Sequence, residues 1–386
     1  KGTVAVACQG GGGYEGREVG QVNNDGPQCR LGKPSKSLAA AAKPDTIPTG
    51  GSEAITLSYT VENMSSYVGG GYTVHKSAWV MEAGDYPIYV GNSVRSAAQV
   101  GNYNEPGLRV VEQLEEAGAI YPASNAFNRL RPEEQDGKLT ENWADMTPVR
   151  SVDLKDRIEE NFPEDKAYGQ GDQGIDLIDV YNGEATLDAF MAQMDEDELM
   201  TLTTGAGEMS HPLGIGYNAS VYGGINTSMI NKYGIPPVST NDGPSGIRMS
   251  EQGTLLPIGT ALACTWNDRL IEELYSGLGQ EMLLNGSDVL LAPGMNLHRD
   301  PLCGRNFEYF SEDPLLTGQM GSNVVRGLQN QGVSATPKHY AANNQETNRS
   351  YNDSRVSERA LREIYLKGFE ICVKTAKPLN IMTAYN

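Results

Sequence analysis

Histidine and cysteine are scarce in this sequence, and their spacing argues against several kinds of site. The 386 residues contain 4 histidines and 5 cysteines, and no two cysteines form a Cys-x-x-Cys pair. Structural zinc sites need clustered ligands, and a disulfide framework needs paired cysteines. We therefore expect no metal, no cofactor and reduced thiols. Reduced thiols favour a cytoplasmic protein, with a secreted or periplasmic location as the alternative.

Positive charge and long apolar runs are also in short supply. There are 30 Lys and Arg residues against 49 Asp and Glu residues, which gives a formal net charge of −19. Nucleic-acid binding depends on basic side chains that neutralise phosphates, so no nucleic-acid partner is expected. A neutral or cationic ligand fits this charge better. No run of about 18 apolar residues occurs, and no membrane partner is expected.

Two common catalytic motifs are absent as well. A serine nucleophile on a strained turn is typical of Gly-x-Ser-x-Gly, and a phosphate-binding loop needs Gly-x-x-x-x-Gly-Lys followed by Ser or Thr. Neither pattern occurs in the chain. These absences argue against acyl transfer by such a serine and against nucleotide binding by such a loop.

The sequence pattern of the first part of the chain is typical of an all-β domain. The whole chain has 45 glycines, which indicate frequent turns. The segment "AITLSYTV" alternates polar and apolar residues, and "KSAWVMEAGDYPIYVG" predicts two strands around a turn. We predict a β-sandwich over residues 1–102. Residues 103–184 predict a connector that wraps the domains, with an amphipathic helix in "PGLRVVEQLEEAG" and a polar loop in "NRLRPEEQDGKLTENWADMTP".

Residues 185–386 alternate between helical patterns and short apolar strands. That alternation predicts a parallel sheet. Polar clusters follow several consecutive strands, as on the catalytic face of a (β/α)₈ barrel. The fold class is therefore α/β plus all-β, with an incomplete barrel of roughly five of its eight strands after the sandwich. A doubly wound open sheet is the alternative, although it gathers ligand groups at one switch point.

The polar groups after four predicted strands form a mixture of hydrogen-bond donors and acceptors. They are Asp242, Arg248, Arg305, Glu308, Glu312, Asp313, Lys338, His339, Arg349 and Tyr385. A ligand rich in vicinal hydroxyls needs such a mixture, because each hydroxyl both donates and accepts. Each piece also has a structural interpretation: "SEDP" resembles a helix start, and Arg305 could pair with Glu308. By elimination, the set indicates a sugar site.

Three segments in this order resemble a known family. They are "STNDGPSGIR", "APGMNLHRDPLCGRNFEYFSEDP" and "KHYAANNQETNR", and they are similar to the β-glucosidases of glycoside hydrolase family 3. Segments of the predicted sandwich, such as "AWVMEAGDYPIYVGNSVR", resemble that family's fibronectin type III-like domain. Because this domain precedes the barrel here, the chain resembles the domain-permuted subgroup. An (α/β) sandwich domain would then lie upstream of Lys1.

The resemblance implies a glucose-sized subsite and a role for each matching residue. Asp242 would accept hydrogen bonds from hydroxyls at the far edge of the ring, with Arg248 beside it. Arg305, Lys338 and His339 would hold the 2-, 3- and 4-hydroxyls. Arg349 and Tyr385 would orient the nucleophile and stabilise its charge. The implied reaction is hydrolysis of terminal, non-reducing β-D-glucosyl residues with retention, on substrates such as cello-oligosaccharides or aryl glucosides.

The two carboxylates of a retaining glycosidase are not assigned within this chain. The resemblance places the nucleophilic Asp beyond Asn386 and the acid/base Glu on the (α/β) sandwich domain, and Glu346 matches a structural position. We expect a second polypeptide, or residues outside this sequence, to complete the barrel, and a homo-oligomer is a further option. The alternatives are a β-xylosidase, another exo-β-glycosidase, or a non-catalytic sugar-binding module.

Overall fold

The computed structural model describes most of the chain and contains two regions of different architecture. The described residues are 2–29, 31–69, 75–116, 127–136, 138–146, 152–204, 209–210, 217–218, 220–222, 227–248 and 253–386. Within them, no helix combines the length and the apolar character needed to cross a bilayer.

The first region is built from antiparallel strands. They are β1 (Gly2–Gln9), β2 (Gly20–Asn24), β3 (Ser37–Ala42), β4 (Ser52–Tyr59), β5 (Ser66–Val68), β6 (Ala78–Met81), β7 (Gly84–Gly91), β8 (Ala98–Glu105) and β9 (Arg109–Gln113). β1 pairs with β4, the order β3-β2-β7-β8 forms a second sheet, and β5-β6-β9 forms a third. Side chains from all three sheets share one core, which includes Val22, Leu57, Met81 and Tyr86. The three sheets thus pack around one hydrophobic core.

The β-rich region extends past the predicted boundary at residue 102. β8 ends at Glu105, and β9 pairs antiparallel with β6. The helix predicted in "PGLRVVEQLEEAG" is therefore wrong as far as residue 116, and residues 117 and 118 lie outside the described residues. Two consecutive valines favour extended backbone, and Val111 packs against the sandwich core. Pairing with β6 overrides the helical spacing.

The predicted connector also contains regular structure. β10 (Asn128–Gln135) and β11 (Lys138–Met146) form an antiparallel hairpin, so the loop prediction is wrong for this segment. Asp136 has φ 51° at the turn, and an Asp-Gly dipeptide between two strands is a strong hairpin signal. Helix α1 (Leu154–Glu160) follows, and the side chain of Asp153 caps it by accepting from the backbone N–H of Lys155.

Helices and short strands alternate in the second region. The helices are α2 (Leu177–Asn182), α3 (Leu187–Ala192), α4 (Glu196–Thr203), α5 (Thr227–Tyr233), α6 (Gly259–Cys264), α7 (Asp268–Leu284), α8 (Pro314–Gln329), α9 (Glu358–Ala360) and α10 (Lys367–Ala376). A π-helical turn, Leu361–Tyr365, joins α9 to α10. The strands are β12 (Met209–Ser210), β13 (Tyr217–Asn218), β14 (Ser220–Tyr222), β15 (Val238–Asp242), β16 (Val289–Leu291) and β17 (Ser334–Ala335).

One mixed sheet with the order β14-β15-β16-β17 organises this region. β15, β16 and β17 run parallel, as the alternating pattern predicts. β14 runs antiparallel to β15, which the pattern did not predict. Parallel bridges at Gly294–Lys338 and Tyr340–Thr383 continue the arrangement beyond the named strands. Carboxyl ends of successive strands thus lie next to one another.

Helices α7 and α8 cover this sheet and pack closely on each other. Their buried side chains form one core with the sheet, and a fully buried aliphatic side chain contributes about 1.5–3 kcal/mol. Asp313 caps α8 by accepting from the backbone N–H of Leu316 at 2.9 Å, so a helix does begin at "SEDP". The pattern predicts Ser311 as the N-cap with the acids in the first turn, and that part is wrong because the cap is Asp313. Gly327 of α8 faces the backbone of α7. A Cβ atom at this position would lie 2.6 Å from the carbonyl oxygen of Glu272.

We predict that Gly327→Ala destabilises the fold, because the added methyl group would push α7 and α8 apart. Overpacking of this kind costs about 1–3 kcal/mol, measurable by urea unfolding. Gly277→Ala is the matched control. Gly277 lies in α7, and a Cβ atom added there would have no neighbour within 4 Å, so alanine should stabilise the helix by about 0.5–1 kcal/mol. Equal effects of the two substitutions would contradict the packing argument.

Candidate functional site

A buried ammonium and a carboxylate meet where β15 and β17 end. Asp242 is the last residue of β15, and Lys338 follows β17 by three positions. The Nζ atom of Lys338 donates to Oδ1 of Asp242 at 2.7 Å. The Lys338 side chain is 3% exposed and that of Asp242 is 38% exposed. The carboxylate therefore compensates a buried charge and also opens towards solvent.

The turn after β15 admits only glycine at two positions. Gly243 has φ 154° and Gly246 has φ 116°, which are conformations that other residues rarely adopt. A Cβ atom at Gly246 would lie 2.2 Å from the carbonyl oxygen of Thr254. The turn brings the backbone N–H of Arg248 within 2.7 Å of the carbonyl oxygen of Asp242, so the segment folds back and holds Asp242 at the strand end.

The backbone of His339 is held from both sides by one asparagine. Oδ1 of Asn296 accepts from the His339 backbone N–H at 2.9 Å, and Nδ2 of Asn296 donates to the His339 carbonyl oxygen at 2.9 Å. The Lys338–His339 peptide bond is cis. Asn296 follows β16 and is buried. The central strand of the sheet thus positions the Lys338–His339 pair.

The imidazole of His339 is buried and neutral. Burial and the positive charges of Arg305, Lys338 and Arg349 lower its pKa to about 2. Its Nδ1 atom lies 3.2 Å from the Tyr309 hydroxyl, which itself accepts from Nδ2 of Asn343 at 2.9 Å. Because Asn343 already donates to that oxygen, the hydroxyl proton is available to Nδ1. Nδ1 also lies 3.3 Å from Oδ1 of Asn296, which can only accept, so the contacts of Nδ1 suit either neutral tautomer.

Arg305 forms an ion pair and also belongs to the site. Its Nε atom donates to Oε1 of Glu308, as the structural interpretation of the sequence held. The two side chains are 19% and 5% exposed. Arg305 also lies near enough to His339 to lower the pKa of that imidazole. The short 3₁₀ turn Asn306–Glu308 separates Arg305 from Tyr309 and places both near His339.

A second group of contacts surrounds Arg349. Its guanidinium carbon lies 4.5 Å from the ring centroid of Tyr385, a cation–π distance. Nη1 of Arg349 pairs with Oε2 of Glu346 at 3.2 Å, and Oε1 of Glu346 accepts from Nδ2 of Asn343 at 2.9 Å. Asn343 links this group to Tyr309 and His339. The Glu346 carboxylate thus accepts bonds from two site residues, in keeping with a structural position.

The structure brings most of the predicted site residues together, but not all of them. It brings Asp242, Lys338 and His339 together, sets Arg305 near them, and connects Arg349 and Tyr385 through side-chain contacts. Arg248 adjoins Asp242 through its backbone only, and its side chain is exposed. Sequence reasoning missed the buried residues Asn296, Tyr309 and Asn343. The signal for Asn296 was an amide inside the apolar run "APGMNL", directly after a strand.

The donor set does not resemble a metal centre. Among the residues that the structure describes, no group of three His, Cys, Asp or Glu side chains is arranged to hold a metal ion. The carboxylates of the site instead face cations: Asp242 pairs with Lys338, Glu308 with Arg305 and Glu346 with Arg349. Such an arrangement offers alternating donors and acceptors.

We predict that His339 makes the fold less stable as the pH falls below about 6.5. The folded pKa is about 2, whereas an unfolded histidine titrates near 6.5. Below that pH the unfolded state binds a proton that the folded state does not bind, so the free energy of unfolding falls by about 1.4 kcal/mol per pH unit. Urea unfolding at pH 7 and pH 5 should show a smaller fall for His339→Asn than for the unsubstituted protein.

The range from pH 8 to pH 9 is the internal control for this comparison. His339 is neutral there in the folded and the unfolded state, so the difference in free energy of unfolding between the two proteins should stay constant. An identical pH dependence from 7 to 5 would mean that the imidazole takes up a proton in the folded protein.

Comparisons with known proteins agree with this geometry. Residues 218–386 match the profile of the glycosyl hydrolase family 3 N terminal domain. The chain is 44% identical to a β-glucosidase of Ruminococcus albus, over 96% of this chain and 38% of that protein. It is 36% identical to β-glucosidase A of Butyrivibrio fibrisolvens, over 96% of this chain and 45% of that protein.

A solved structure among the matches aligns with the whole chain. A crystal structure of a β-glucosidase from Paenibacillus barengoltzii matches with a TM-score of 0.92 and 47% identity, over 100% of this chain and 42% of that one. The chain thus spans less than half the length of these relatives. The match to the glycosyl hydrolase family 3 N terminal domain, at residues 218–386, covers the part of the chain that holds the site described above.

Proposed function

We propose that this chain forms the sugar-binding part of a β-glucosidase that hydrolyses terminal, non-reducing β-D-glucosyl residues with retention of configuration. The observation that supports this proposal most directly is the 2.7 Å contact between Lys338 and Asp242, where β15 and β17 end. His339 is the next residue after Lys338. Similarity to proteins named β-glucosidase over 96% of the chain supports the same proposal.

The hydroxyl-binding chemistry follows from these partners. An ammonium has three N–H donors, and Asp242 accepts one from Lys338, which leaves donors for ring hydroxyls. The half-exposed carboxylate of Asp242 can accept from a hydroxyl while it stays paired with Lys338. A neutral His339 adds its Nε2 atom as a further hydrogen-bonding partner without adding charge. Vicinal hydroxyls of one pyranose would therefore meet both donors and acceptors within a few residues.

The two catalytic carboxylates are proposed to come from polypeptide outside residues 1–386. A retaining mechanism needs a nucleophile and an acid/base about 5 Å apart. In this site Asp242, Glu308 and Glu346 are each bonded to a cation, which suits them to positioning. Arg349 and Tyr385, stacked at 4.5 Å, would lie beside the incoming nucleophile and stabilise its negative charge.

The remaining architecture is part of the same proposal. We assign the β-rich region to a fibronectin type III-like domain that precedes a (β/α)₈ barrel, in the domain-permuted order. A second polypeptide, or the rest of a longer chain, would complete the barrel and add the (α/β) sandwich domain. The parallel order β15-β16-β17 supports a barrel, and the shared core of three sheets supports a sandwich.

We predict that Asp242→Ala lowers kcat/KM more for an aryl β-glucoside than for the matching β-xyloside. If Asp242 accepts from a hydroxyl that only glucose carries, its loss should cost the glucoside about 1–3 kcal/mol more in transition-state binding. Release of nitrophenol from both substrates by the active enzyme containing this chain measures the difference. Glu312→Gln is the matched control, because this exposed carboxylate lies outside the set of residues proposed to bind the sugar.

Three outcomes of these assays decide between the functions. Hydrolysis of the glucoside with the β-anomer of glucose as the first product, seen by proton NMR, supports a retaining β-glucosidase. A larger kcat/KM for the xyloside would make the protein a β-xylosidase. Binding of glucose without release of nitrophenol from either substrate would identify a non-catalytic sugar-binding module.

A further inference from the structure

Two side chains outside the proposed sugar-contacting set converge on the turn that follows Arg305. Nε2 of His298 lies 2.9 Å from the carbonyl oxygen of Asn306 and 3.0 Å from that of Tyr309. Oγ1 of Thr260 contacts the same two oxygens, at 3.2 Å and 3.1 Å. Because carbonyl oxygens only accept hydrogen bonds, the His298 nitrogen must carry its proton. Each carbonyl thus faces two donors.

The two donors come from different parts of the fold. Thr260 is the second residue of α6, whereas His298 lies in the loop after β16 and is anchored by its backbone N–H to the carbonyl oxygen of Ser311 at 3.1 Å. The turn is also seated on α6. A Cβ atom at Gly259 would lie 2.4 Å from the carbonyl oxygen of Glu308, so only glycine lets the two backbones approach so closely.

The clamped turn carries side chains of the proposed binding site. Arg305 precedes the turn and bonds to Glu308 within it. Tyr309 follows the turn, and its hydroxyl contacts Nδ1 of His339. A shift of the Asn306 and Tyr309 carbonyls would therefore move Arg305 and would also release the imidazole of His339 from its partner.

We propose that His298 and Thr260 act together as positioning residues that hold the Asn306–Glu308 turn, and through it Arg305 and His339, in the geometry that binds the sugar. This proposal rests on the β-glucosidase function proposed above. Neither residue needs to touch the substrate. Since the two donors share both acceptors, each can maintain the turn in part when the other is lost.

Thr260→Val tests the clamp, because valine keeps the shape of threonine and removes the hydroxyl donor. We expect kcat/KM for an aryl β-glucoside to fall about fivefold, the effect of one lost hydrogen bond, while Thr260→Ser retains the activity. The double variant Thr260→Val with His298→Phe should fall about tenfold beyond the product of the single effects, since the carbonyls then have neither donor.

Thr265→Val is the matched control at the other end of α6. The Thr265 hydroxyl donates to the carbonyl oxygen of Leu262 at 2.6 Å, so the substitution removes the same kind of bond from the same helix. We expect it to leave kcat/KM unchanged. A comparable loss of activity in Thr265→Val and Thr260→Val would overturn the clamp in favour of general weakening of α6.

A series of aryl deoxy-glucosides separates positioning from a merely structural role. If the clamp positions Arg305 and His339, the Thr260→Val effect should shrink for the analogues that lack a hydroxyl bound by either residue, and should persist for the others. An equal loss with every analogue would overturn the proposal, as would additive single and double variants.

Hydrogen–deuterium exchange keeps this test distinct from the test of function. The backbone N–H groups of Glu308 and Tyr309 bond within the turn, and Thr260→Val should speed their exchange, whereas Thr260→Ser should not. Faster exchange in an enzyme that hydrolyses glucosides supports the full proposal. Unchanged exchange overturns the clamp whatever the activity. A wild-type protein without glucosidase activity overturns the proposed function, and with it the positioning role.

Discussion

The buried ammonium of Lys338 is the constraint on which the site depends. Removing a charge from water costs several kcal/mol unless a well-placed partner compensates it, and Asp242 is that partner at 2.7 Å. The pairing requires the ends of β15 and β17 to be held at a fixed separation, although they are not neighbours in the sheet. β16 lies between them and supplies Asn296, which grips the backbone of His339.

The other charged side chains of the site are also compensated by partners of opposite charge. Burial is the main cause of the low pKa of His339, and the positive charges of Arg305, Lys338 and Arg349 lower it further. Each of the three cations has its own carboxylate partner. The pairs leave the site close to neutral within a chain of net charge −19. A neutral ligand that donates and accepts at each hydroxyl suits such a surface better than an anion, which would meet a carboxylate beside every cation.

The sequence predicted the parts of this arrangement that depend on local pattern or charge. Helices α7 and α8, the parallel strands, and the residues Asp242, Lys338 and His339 were all predicted. Neutral partners such as Asn296 and Tyr309 were missed, because their role comes from which strand end lies opposite them. β9 was predicted as a helix because spacing alone does not show that β6 offers a free edge. The β10–β11 hairpin was missed although its Asp-Gly dipeptide was visible in the sequence.

Contacts between the two regions connect the sandwich to the site. The Tyr67 hydroxyl donates to the buried carboxylate of Glu358 at 2.6 Å, and the Tyr67 backbone N–H donates to Glu363 at 2.6 Å. These carboxylates belong to the helical segment that continues into α10, where Phe369 packs edge-on against Tyr340 at 5.3 Å. Tyr340 follows His339 directly in the chain.

The position of that helical segment therefore affects the packing of Tyr340, the residue that follows His339. Hydrogen bonds to a carboxylate are stronger than those between neutral groups, and Glu358 and Glu363 each accept one from Tyr67 in addition to an arginine contact. The segment cannot tilt away from the sandwich without breaking the bonds to Tyr67, and any such tilt would also disturb the packing under Tyr340. The β-rich region thus connects, through this segment, to the strand end that carries Lys338 and His339. Both regions are matched in the two relatives that align over 96% of this chain.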